Sequence, residues 1–172
     1  MLKNCFAVVG ASLATFLALT VPAANAQELI NQKALSLDAA QTIAQGALEK
    51  CRADGYRVTV AVIDGGGTLK AFLHDDGAGL HTIGVSREKA YTALTFKRTS
   101  AETGKAWAAN PPAPNIEGTV GRPGGVPIKA GDDVIGAIGV SGSPSGDKDE
   151  VCAFAGVAKI ANLLNSVKTP AR

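Results

Sequence analysis

Two pairs of apolar, β-branched runs, each pair joined by a short glycine-containing turn, constrain the fold of this chain most. Residues 58–63 and 68–73 flank an Asp-Gly-Gly-Gly turn at 64–67, and residues 126–129 and 134–141 flank another. Connections of this length join antiparallel strands, because a parallel crossover needs a dozen or more residues. The sequence therefore predicts an α/β domain of the layered α+β kind, with a central, mainly antiparallel sheet flanked by helices.

Helical periodicity places further elements around these strands. Ser36 or Asp38 is positioned to cap the first helix, and residues 110–125, rich in Pro and Gly, predict an ordered surface loop. No internal repeat or linker divides the chain, so residues 27–172 are expected to form one domain. The predicted helices span residues 39–52, 80–98, 100–107 and 147–166.

The second predicted helix has two distinct sides. At 100° per residue, one side carries Leu80, Ile83, Ala90, Tyr91 and Leu94. The other side carries His81, Val85, Lys89, Thr92 and Phe96. We expect the first side to cover the sheet and the second to meet a ligand or another subunit.

The first 26 residues have the layout of a secretory signal peptide. Lys3 provides a positive start, residues 6–21 are apolar and uncharged, and Ala-Asn-Ala at 24–26 is a small-residue cleavage site. The apolar run is shorter than the ~20 residues that a spanning helix needs. We therefore expect a periplasmic or secreted protein that starts at Gln27 and has no membrane span after cleavage.

The charge balance argues against one class of partner. The whole chain carries 17 Lys and Arg against 15 Asp and Glu, and Lys3 leaves with the predicted signal peptide. Recognition of a nucleic-acid backbone needs a clear excess of basic side chains. A nucleic-acid partner is therefore not expected.

Cys51 and Cys152 remain after removal of the predicted signal peptide. An even pair of cysteines in an oxidising compartment permits a disulfide, and the separation is too long for a local metal clip. Cys51 lies at the end of the first predicted helix and Cys152 near the start of the last. If these helices pack antiparallel on one face of the sheet, the two residues become neighbours, and we predict that they are bonded.

Several short motifs have a structural and a functional interpretation. The 64–67 turn is not followed by a helix start or by Gly-Lys-Ser/Thr, which favours a hairpin turn over a phosphate loop. Gly124 and Gly125 either let a ligand approach the backbone closely or serve a bend, and both interpretations stay open. Ser141 lacks the surrounding G-x-S-x-G of a nucleophile elbow. No catalytic residue is predicted.

The chain has two histidines, His74 at a strand end and His81 on the second helix. A single imidazole is more often a surface or hydrogen-bonding residue than a ligand. His81, however, shares a helix side with the apolar Val85 and Phe96 and with the cation of Lys89. Haem needs an imidazole for its iron, apolar contacts for its macrocycle and a cation for its propionates.

Three segments together resemble the GlcG/HbpS family of haem-binding proteins, which includes the C-terminal domain of PduO-type proteins. The resemblance covers nearly all of residues 27–172. One departure is His74-Asp75, where many relatives carry Arg-Met before the shared Asp-Gly-Ala. The segments are VAVIDGGGTL at 60–69 running into DGA at 76–78, then REKAYTA at 87–93, and finally GGVPI at 124–128 with GAIGVSG at 136–142 and Asp-Glu at 149–150.

The resemblance implies a profilin-like or Roadblock-like domain that assembles into homo-oligomers. It also implies haem binding, with roles in extracellular haem or iron handling and redox sensing. The leading hypothesis is accordingly an exported haem-binding protein that acts as a haem carrier, a store or a redox-sensing partner. Two alternatives remain open: an enzyme or binding protein for a small organic acid, using Lys89 and the Gly124–Gly125 pocket, and a non-catalytic oligomeric interaction module.

The predicted haem site combines the second helix with the glycine-rich loop. His81 would ligate the iron, His74 is the reserve ligand, and Lys89 or Arg87 would meet a propionate. The full predicted set is His81, His74, Val85, Arg87, Lys89, Phe96, Gly124, Gly125 and Pro127.

Overall fold

The computed structural model describes residues 32–110 and 116–166 as an alternation of helices and strands. In chain order these are α1 (Leu37–Ala53), β1 (Thr59–Asp64), β2 (Leu69–His74), α2 (Thr82–Phe96), α3 (Ser100–Ala109), β3 (Gly125–Ala130), β4 (Asp133–Ser141), α4 (Gly146–Ala158) and α5 (Ala161–Ser166). No helix in this described part is long and apolar enough to cross a membrane. The predicted signal peptide and the predicted start at Gln27 lie outside the described residues.

The described strands form one antiparallel sheet in the order β2-β1-β4-β3. The turn after β1 is held by Asp64, whose carboxylate accepts the N–H of Gly66 at 3.0 Å and of Thr68 at 2.9 Å. The pairing of β1 with β4 joins the first hairpin to the second. The expectation of a layered α+β domain with an antiparallel sheet is confirmed.

Helices α1 and α4 form the layer on one face of the sheet. Cys51 is bonded to Cys152 with the Cα atoms 5.6 Å apart, and Gly156 packs against Ile43 and Ala47. Positions later in α4 therefore meet positions earlier in α1, which makes the two helices antiparallel. The predicted disulfide is confirmed, and so is the helix packing on which it was argued.

Helix α2 lies on the opposite face, in close contact with β4. Gly139 makes this contact possible, because a Cβ there would collide with the backbone of α2 at Ser86 and Ala90. So short a separation admits small side chains and excludes large ones. The side of α2 that covers the sheet is therefore the one with Ser86, Ala90 and Ala93.

Of the residues expected to cover the sheet, Ala90 and Leu94 do pack against Ile63 and Ala137 of the sheet, whereas the expectation is wrong for Leu80, Ile83 and Tyr91. Leu80 is 83% exposed and Tyr91 44% exposed. Large side chains cannot fit beneath a helix that rests on strand glycines, so these residues point away from the sheet. They become available for another contact.

The closing helix also differs from the prediction of one helix over 147–166. It is divided into α4 and α5. The backbone N–H groups of Lys159 and Ile160 donate to residues three positions earlier, Gly156 and Val157. Such tightening ends an α-helix, and here it directs the buried Ile160 into the core beside α1.

Candidate functional site

An open cleft of about 630 Å³ lies between the first hairpin and helix α2. Helix α2 packs on β4, β3 and β1, whereas β2 is the neighbouring edge strand. The edge strand is therefore left beside the helix rather than beneath it, and the space between them stays open. Its lining residues are Ile63, Gly67, Leu69, Gly84, Arg87, Glu88, Tyr91, Glu117 and Gly118.

Apolar side chains and an open helix glycine form much of the cleft wall. Leu69 and Tyr91 line the cleft and are 41% and 44% exposed. A Cβ placed on Gly84 would have no other heavy atom within 4 Å. Glycine inside a helix costs about 0.5–1 kcal/mol relative to alanine, and at this position it leaves space that a ligand can occupy.

The cleft wall coincides with one side of α2. The α2 residues Gly84, Arg87, Glu88 and Tyr91 line the cleft, and their spacing of three and four residues places them on one side of the helix. Exposed apolar residues grouped in this way mark ligand-binding or interaction sites. Tyr91, which was predicted to cover the sheet, thus faces the cleft instead.

Arg87 brings a positive charge to the cleft, where the other charged lining residues are Glu88 and Glu117. A guanidinium binds a carboxylate through two parallel hydrogen bonds. The apolar lining residues together with the Arg87 guanidinium suit a molecule that has apolar surface and a carboxylate, while Glu88 and Glu117 carry the opposite charge. Among the predicted site residues, Arg87 is the one that lines the cleft.

His81 lies at the beginning of α2, outside the residues that line the cleft. It occupies the N-cap position without a side-chain capping hydrogen bond. Its ring folds back over Gly79, where a Cβ would lie 2.8 Å from the ring atom Cε1. His81 is exposed, as expected for a ligand, but its surroundings differ from the shared face that was predicted.

Phe96, predicted to lie beside His81, packs elsewhere. Its ring meets Trp107 edge-on with the centroids 5.6 Å apart, and the Arg98 guanidinium lies 5.8 Å from its centroid. Phe96 thus belongs to the contact between α2 and α3. Val85 is half-buried and is likewise absent from the cleft lining.

His74 ends the edge strand β2 and is joined to a chain of buried hydroxyl groups. Its Nδ1 lies 2.6 Å from Thr59 Oγ1, which in turn lies 2.6 Å from Thr82 Oγ1. The Thr82 hydroxyl donates to the carbonyl oxygen of Gly79 at 2.6 Å. Strand β2, strand β1 and the start of α2 are therefore connected through the His74 ring.

The expectation that Lys89 meets a propionate from the surface is wrong. The Lys89 side chain is 3% exposed. Its Nζ donates to Asp149 Oδ2 at 2.7 Å and to the carbonyl oxygen of Val140 at 2.9 Å. Burial lowers the pKa of Lys89, and the charge of Asp149 opposes that change. This ammonium is engaged in holding α2 to β4 and α4.

Gly124 and Gly125 serve packing rather than an open pocket. A Cβ on Gly124 would lie 2.8 Å from Lys89 Nζ, and one on Gly125 would collide with the Lys89 carbonyl. Gly125 also donates its N–H to Ser100 Oγ at 2.8 Å. Pro127 continues into β3 and does not line the cleft. The predicted pocket between Lys89 and this loop is therefore filled by the protein itself.

Most residues of the cleft were missed by the sequence analysis. Gly84 could have indicated the cleft, because an isolated glycine inside a helical pattern often has a packing or functional reason. Leu69 was read as an ordinary strand residue and Tyr91 as a sheet contact. Within residues 32–110 and 116–166, no group of three or more His, Cys, Asp or Glu side chains is arranged to hold a metal ion.

Comparison with known proteins assigns the chain to a family. Residues 35–158 match the family model described as "Haem degrading protein HbpS-like". The chain belongs to the HbpS-like family. This confirms the resemblance noted from the three sequence segments.

Individual members of the HbpS-like family and related folds agree with this assignment. The protein GlcG of Escherichia coli K12 is 31% identical over 114 residues, which cover 62% of this chain and 81% of GlcG. A double mutant of HbpS from Streptomyces reticuli has a TM-score of 0.74 at 38% identity, covering 82% of this chain and 97% of that one. The haem complex of PduOC has a TM-score of 0.68 at 24% identity, with 75% and 96% covered, and this likeness shows the fold alone.

Proposed function

We propose that this protein binds haem in the cleft between the first hairpin and α2. The observation that carries the proposal is the open cleft in which Ile63, Leu69 and Tyr91 lie beside Arg87. The chain belongs to a family described as haem-degrading, and a structure of the same fold, PduOC, is a haem complex. Both support haem as the ligand over other flat apolar acids.

The residues present fit the chemistry of haem. A volume of about 630 Å³ falls within the roughly 300–1,000 Å³ typical of small-molecule sites. Leu69, Ile63 and the ring of Tyr91 offer apolar and aromatic contacts to the macrocycle. Arg87 offers a guanidinium to a propionate. Bound haem would supply iron redox chemistry, while these residues bind and orient it.

The cellular role that we propose is that of an exported haem carrier, store or redox-sensing partner, working as a homo-oligomer. The Ala-Asn-Ala sequence at 24–26 supports export. The Cys51–Cys152 disulfide also supports it, because such bonds persist in oxidising compartments. The exposed apolar residues Val151 and Phe154 of α4 offer surface for contacts between subunits.

Haem degradation is the second candidate, because the matching family is described by that activity. The organic-acid alternative loses its structural basis, since Lys89 and the Gly124–Gly125 segment are packed together. Degradation and simple binding are separated by following bound hemin after addition of a reductant in air. Steady loss of the Soret band at a constant protein concentration indicates degradation, and an unchanged band indicates binding alone.

The binding test is a spectral titration of residues 27–172 with hemin. Gly84→Leu places a side chain in the open space of the cleft and should weaken hemin binding by about tenfold or more, because the side chain occupies volume that the ligand needs. Ala158→Leu adds the same side chain to an exposed position of α4 and should bind as the wild type does. Absence of any Soret change in the wild type rejects haem binding. Wild-type affinity in Gly84→Leu rejects the cleft as the site.

A further inference from the structure

The hydrogen bonds from His74 to Gly79 have one allowed direction. A carbonyl oxygen only accepts, so the Thr82 hydroxyl donates its single proton to Gly79. Thr82 Oγ1 must therefore accept the proton of the Thr59 hydroxyl. Thr59 has then no proton left for the imidazole and must accept one from it. The direction runs from His74 Nδ1–H through Thr59 and Thr82 to the Gly79 carbonyl.

This direction determines the state of the His74 ring. A neutral imidazole carries one N–H and one lone pair, so a proton on Nδ1 leaves the lone pair on Nε2. Thr59 and Thr82 are fully buried, which prevents water from replacing their mutual hydrogen bond. The His74 ring itself is exposed. The buried hydroxyl groups thus hold one edge of the ring and leave the opposite edge with an available nitrogen lone pair.

The backbone that follows His74 is also fixed. Asp75 donates its N–H to the carbonyl oxygen of Val58 at 3.0 Å. Its carboxylate accepts from Arg52 Nη2 at 2.6 Å. The Nδ1 edge of the His74 ring and the residue that follows His74 are therefore held before any ligand arrives, which is the preorganisation that a binding site needs.

The position of His74 relates it to the cleft. Thr59, its partner in the strand register, contacts Thr82 of α2, so the ring of His74 lies on the face of the sheet that carries α2. Phe72 lies on the same face, two residues earlier, because side chains alternate along a strand. Leu69 of the same strand lines the cleft, and so does Gly84, two residues after Thr82. His74 is not itself among the residues that line the cleft; it lies on the same face of the sheet, towards the start of α2, so a haem that it ligates would extend beyond the cleft at that end.

We propose that His74 Nε2 is the protein ligand of the haem iron, a proposal that rests on the proposed haem function. A ligating histidine characteristically donates its other ring N–H to a fixed acceptor, which sets the tautomer and strengthens the ligand. The Thr59 hydroxyl is such an acceptor. No comparable hydrogen bond holds the ring of His81 among the described residues, so the structure reverses the order of the two candidates.

The first test needs no haem. Long-range ¹H–¹⁵N correlation spectra of the ligand-free protein at neutral to mildly alkaline pH report which ring nitrogen carries the proton. The expected result is a protonated Nδ1 and an unprotonated Nε2 for His74. A spectrum in which Nε2 carries the proton overturns the proposed direction of the hydrogen bonds, whether or not the protein binds haem.

The second test compares His74→Ala with His81→Ala in hemin titrations. His74→Ala should lose the ligand-dependent Soret position, and added free imidazole should restore it, whereas His81→Ala should keep the wild-type spectrum. The ligand assignment is overturned if His81→Ala changes the spectrum and His74→Ala does not. If the wild type binds no hemin, the proposed function fails with it, and the spectra of the ligand-free protein still decide the state of the ring.

The third test changes the acceptor alone. Thr59→Val keeps the shape of the side chain in β1 but removes the hydroxyl, and it should weaken hemin binding by about 10–100-fold, as loss of an outer partner of a metal ligand does. Thr59→Ser keeps the hydroxyl and should restore binding. Thr103→Val removes an equally buried hydroxyl in α3 and controls for a general loss of stability. Equal affinities of Thr59→Val and Thr59→Ser contradict the role of the hydroxyl.

Discussion

Lys89 of α2 donates to Asp149 of α4 at 2.7 Å, and both side chains are buried. The same carboxylate accepts the backbone N–H of Ser143 at 2.9 Å. One buried ion pair thus joins the helices of the two layers to each other and to the loop after β4. A lysine used in this way supports the fold rather than the ligand.

Removing the Asp149 charge should destabilise the protein strongly. Asp149→Asn leaves the Lys89 ammonium buried without its anion, and breaking such a pair costs about 3–5 kcal/mol. Urea unfolding followed by circular dichroism measures the loss. Asp147→Asn, at an exposed position of the same helix, should change the free energy of unfolding by less than about 0.5 kcal/mol. Similar values for the two variants would show that the buried pair is not important for stability.

Asp75 should make stability depend on pH in the acid range. The hydrogen bond from Arg52 holds the pKa of Asp75 below its usual 3.8, so on acidification the unfolded chain takes up this proton before the folded protein does. The contribution of Asp75 to the free energy of unfolding is therefore complete above about pH 5 and is lost as the pH falls through the lowered pKa.

The measurement for Asp75 is a comparison of the wild type with Asp75→Asn. The difference in their free energies of unfolding should be large at neutral pH and should shrink towards about pH 3. Asp132→Asn, in the exposed turn between β3 and β4, serves as the control. A difference that stays constant with pH would mean that Arg52 does not favour the ionised carboxylate.

Gly84→Ala should separate stability from binding. The new methyl group meets no other atom within 4 Å, and alanine favours a helix by about 0.5–1 kcal/mol over glycine, so the midpoint of thermal unfolding should rise. The same methyl group narrows the cleft and should weaken hemin binding. Thr42→Ala, at an exposed position of α1, should also stabilise its helix but leave hemin affinity unchanged. Tighter hemin binding by Gly84→Ala would contradict the proposal that the ligand lies against Gly84 in the cleft.

Loss of the disulfide should destabilise the domain. The bond closes a loop with a sequence separation of 101, for which the chain-entropy relation gives about 4.7 kcal/mol, and measured losses are about 2–5 kcal/mol. The double variant Cys51→Ser/Cys152→Ser should unfold at correspondingly lower denaturant, and the wild type with reductant should behave alike. Two reactive thiols in the denatured, unreduced protein 27–172 would contradict the bond.

The site of signal cleavage is tested by the intact mass of protein recovered from the periplasm. Cleavage after the Ala-Asn-Ala sequence at 24–26 gives a chain that begins at Gln27. A periplasmic species that retains residues 1–26 would refute the prediction.

Local signals in the sequence were sufficient for the strands, the first three helices and the disulfide. The turn at 64–67 and the β-branched runs beside it determine a hairpin through contacts between near neighbours in the chain. The Cys51–Cys152 bond was predictable because the two cysteines lie at the end of the first helix and near the start of the last. Antiparallel packing of these helices on one face of the sheet makes the two residues neighbours. The strands and helices depend on contacts between near neighbours in the chain, whereas the disulfide joins residues 101 positions apart and followed from the predicted packing of two helices.

The orientation of α2 depends instead on contacts between distant parts of the chain. Gly139 and Ser86 lie far apart in sequence, and their contact decides which side of the helix faces the sheet. Lys89 and Asp149 are separated by 60 positions. The periodicity of α2 identifies Lys89 as a cation on one side of the helix but cannot identify Asp149 as its partner. The cleft was misplaced for the same reason, since its lining residue Tyr91 was expected to cover the sheet.

The glycines beneath α2 have a consequence for how ligand choice can change. Gly125 and Gly139 contact the backbone of this helix and do not line the cleft. A side chain at either position would raise α2 from the sheet and alter the width of the space beside β2. The size of molecule accepted by this fold is therefore adjustable from buried strand positions that a ligand never touches, and selectivity can diverge between relatives whose cleft residues are identical.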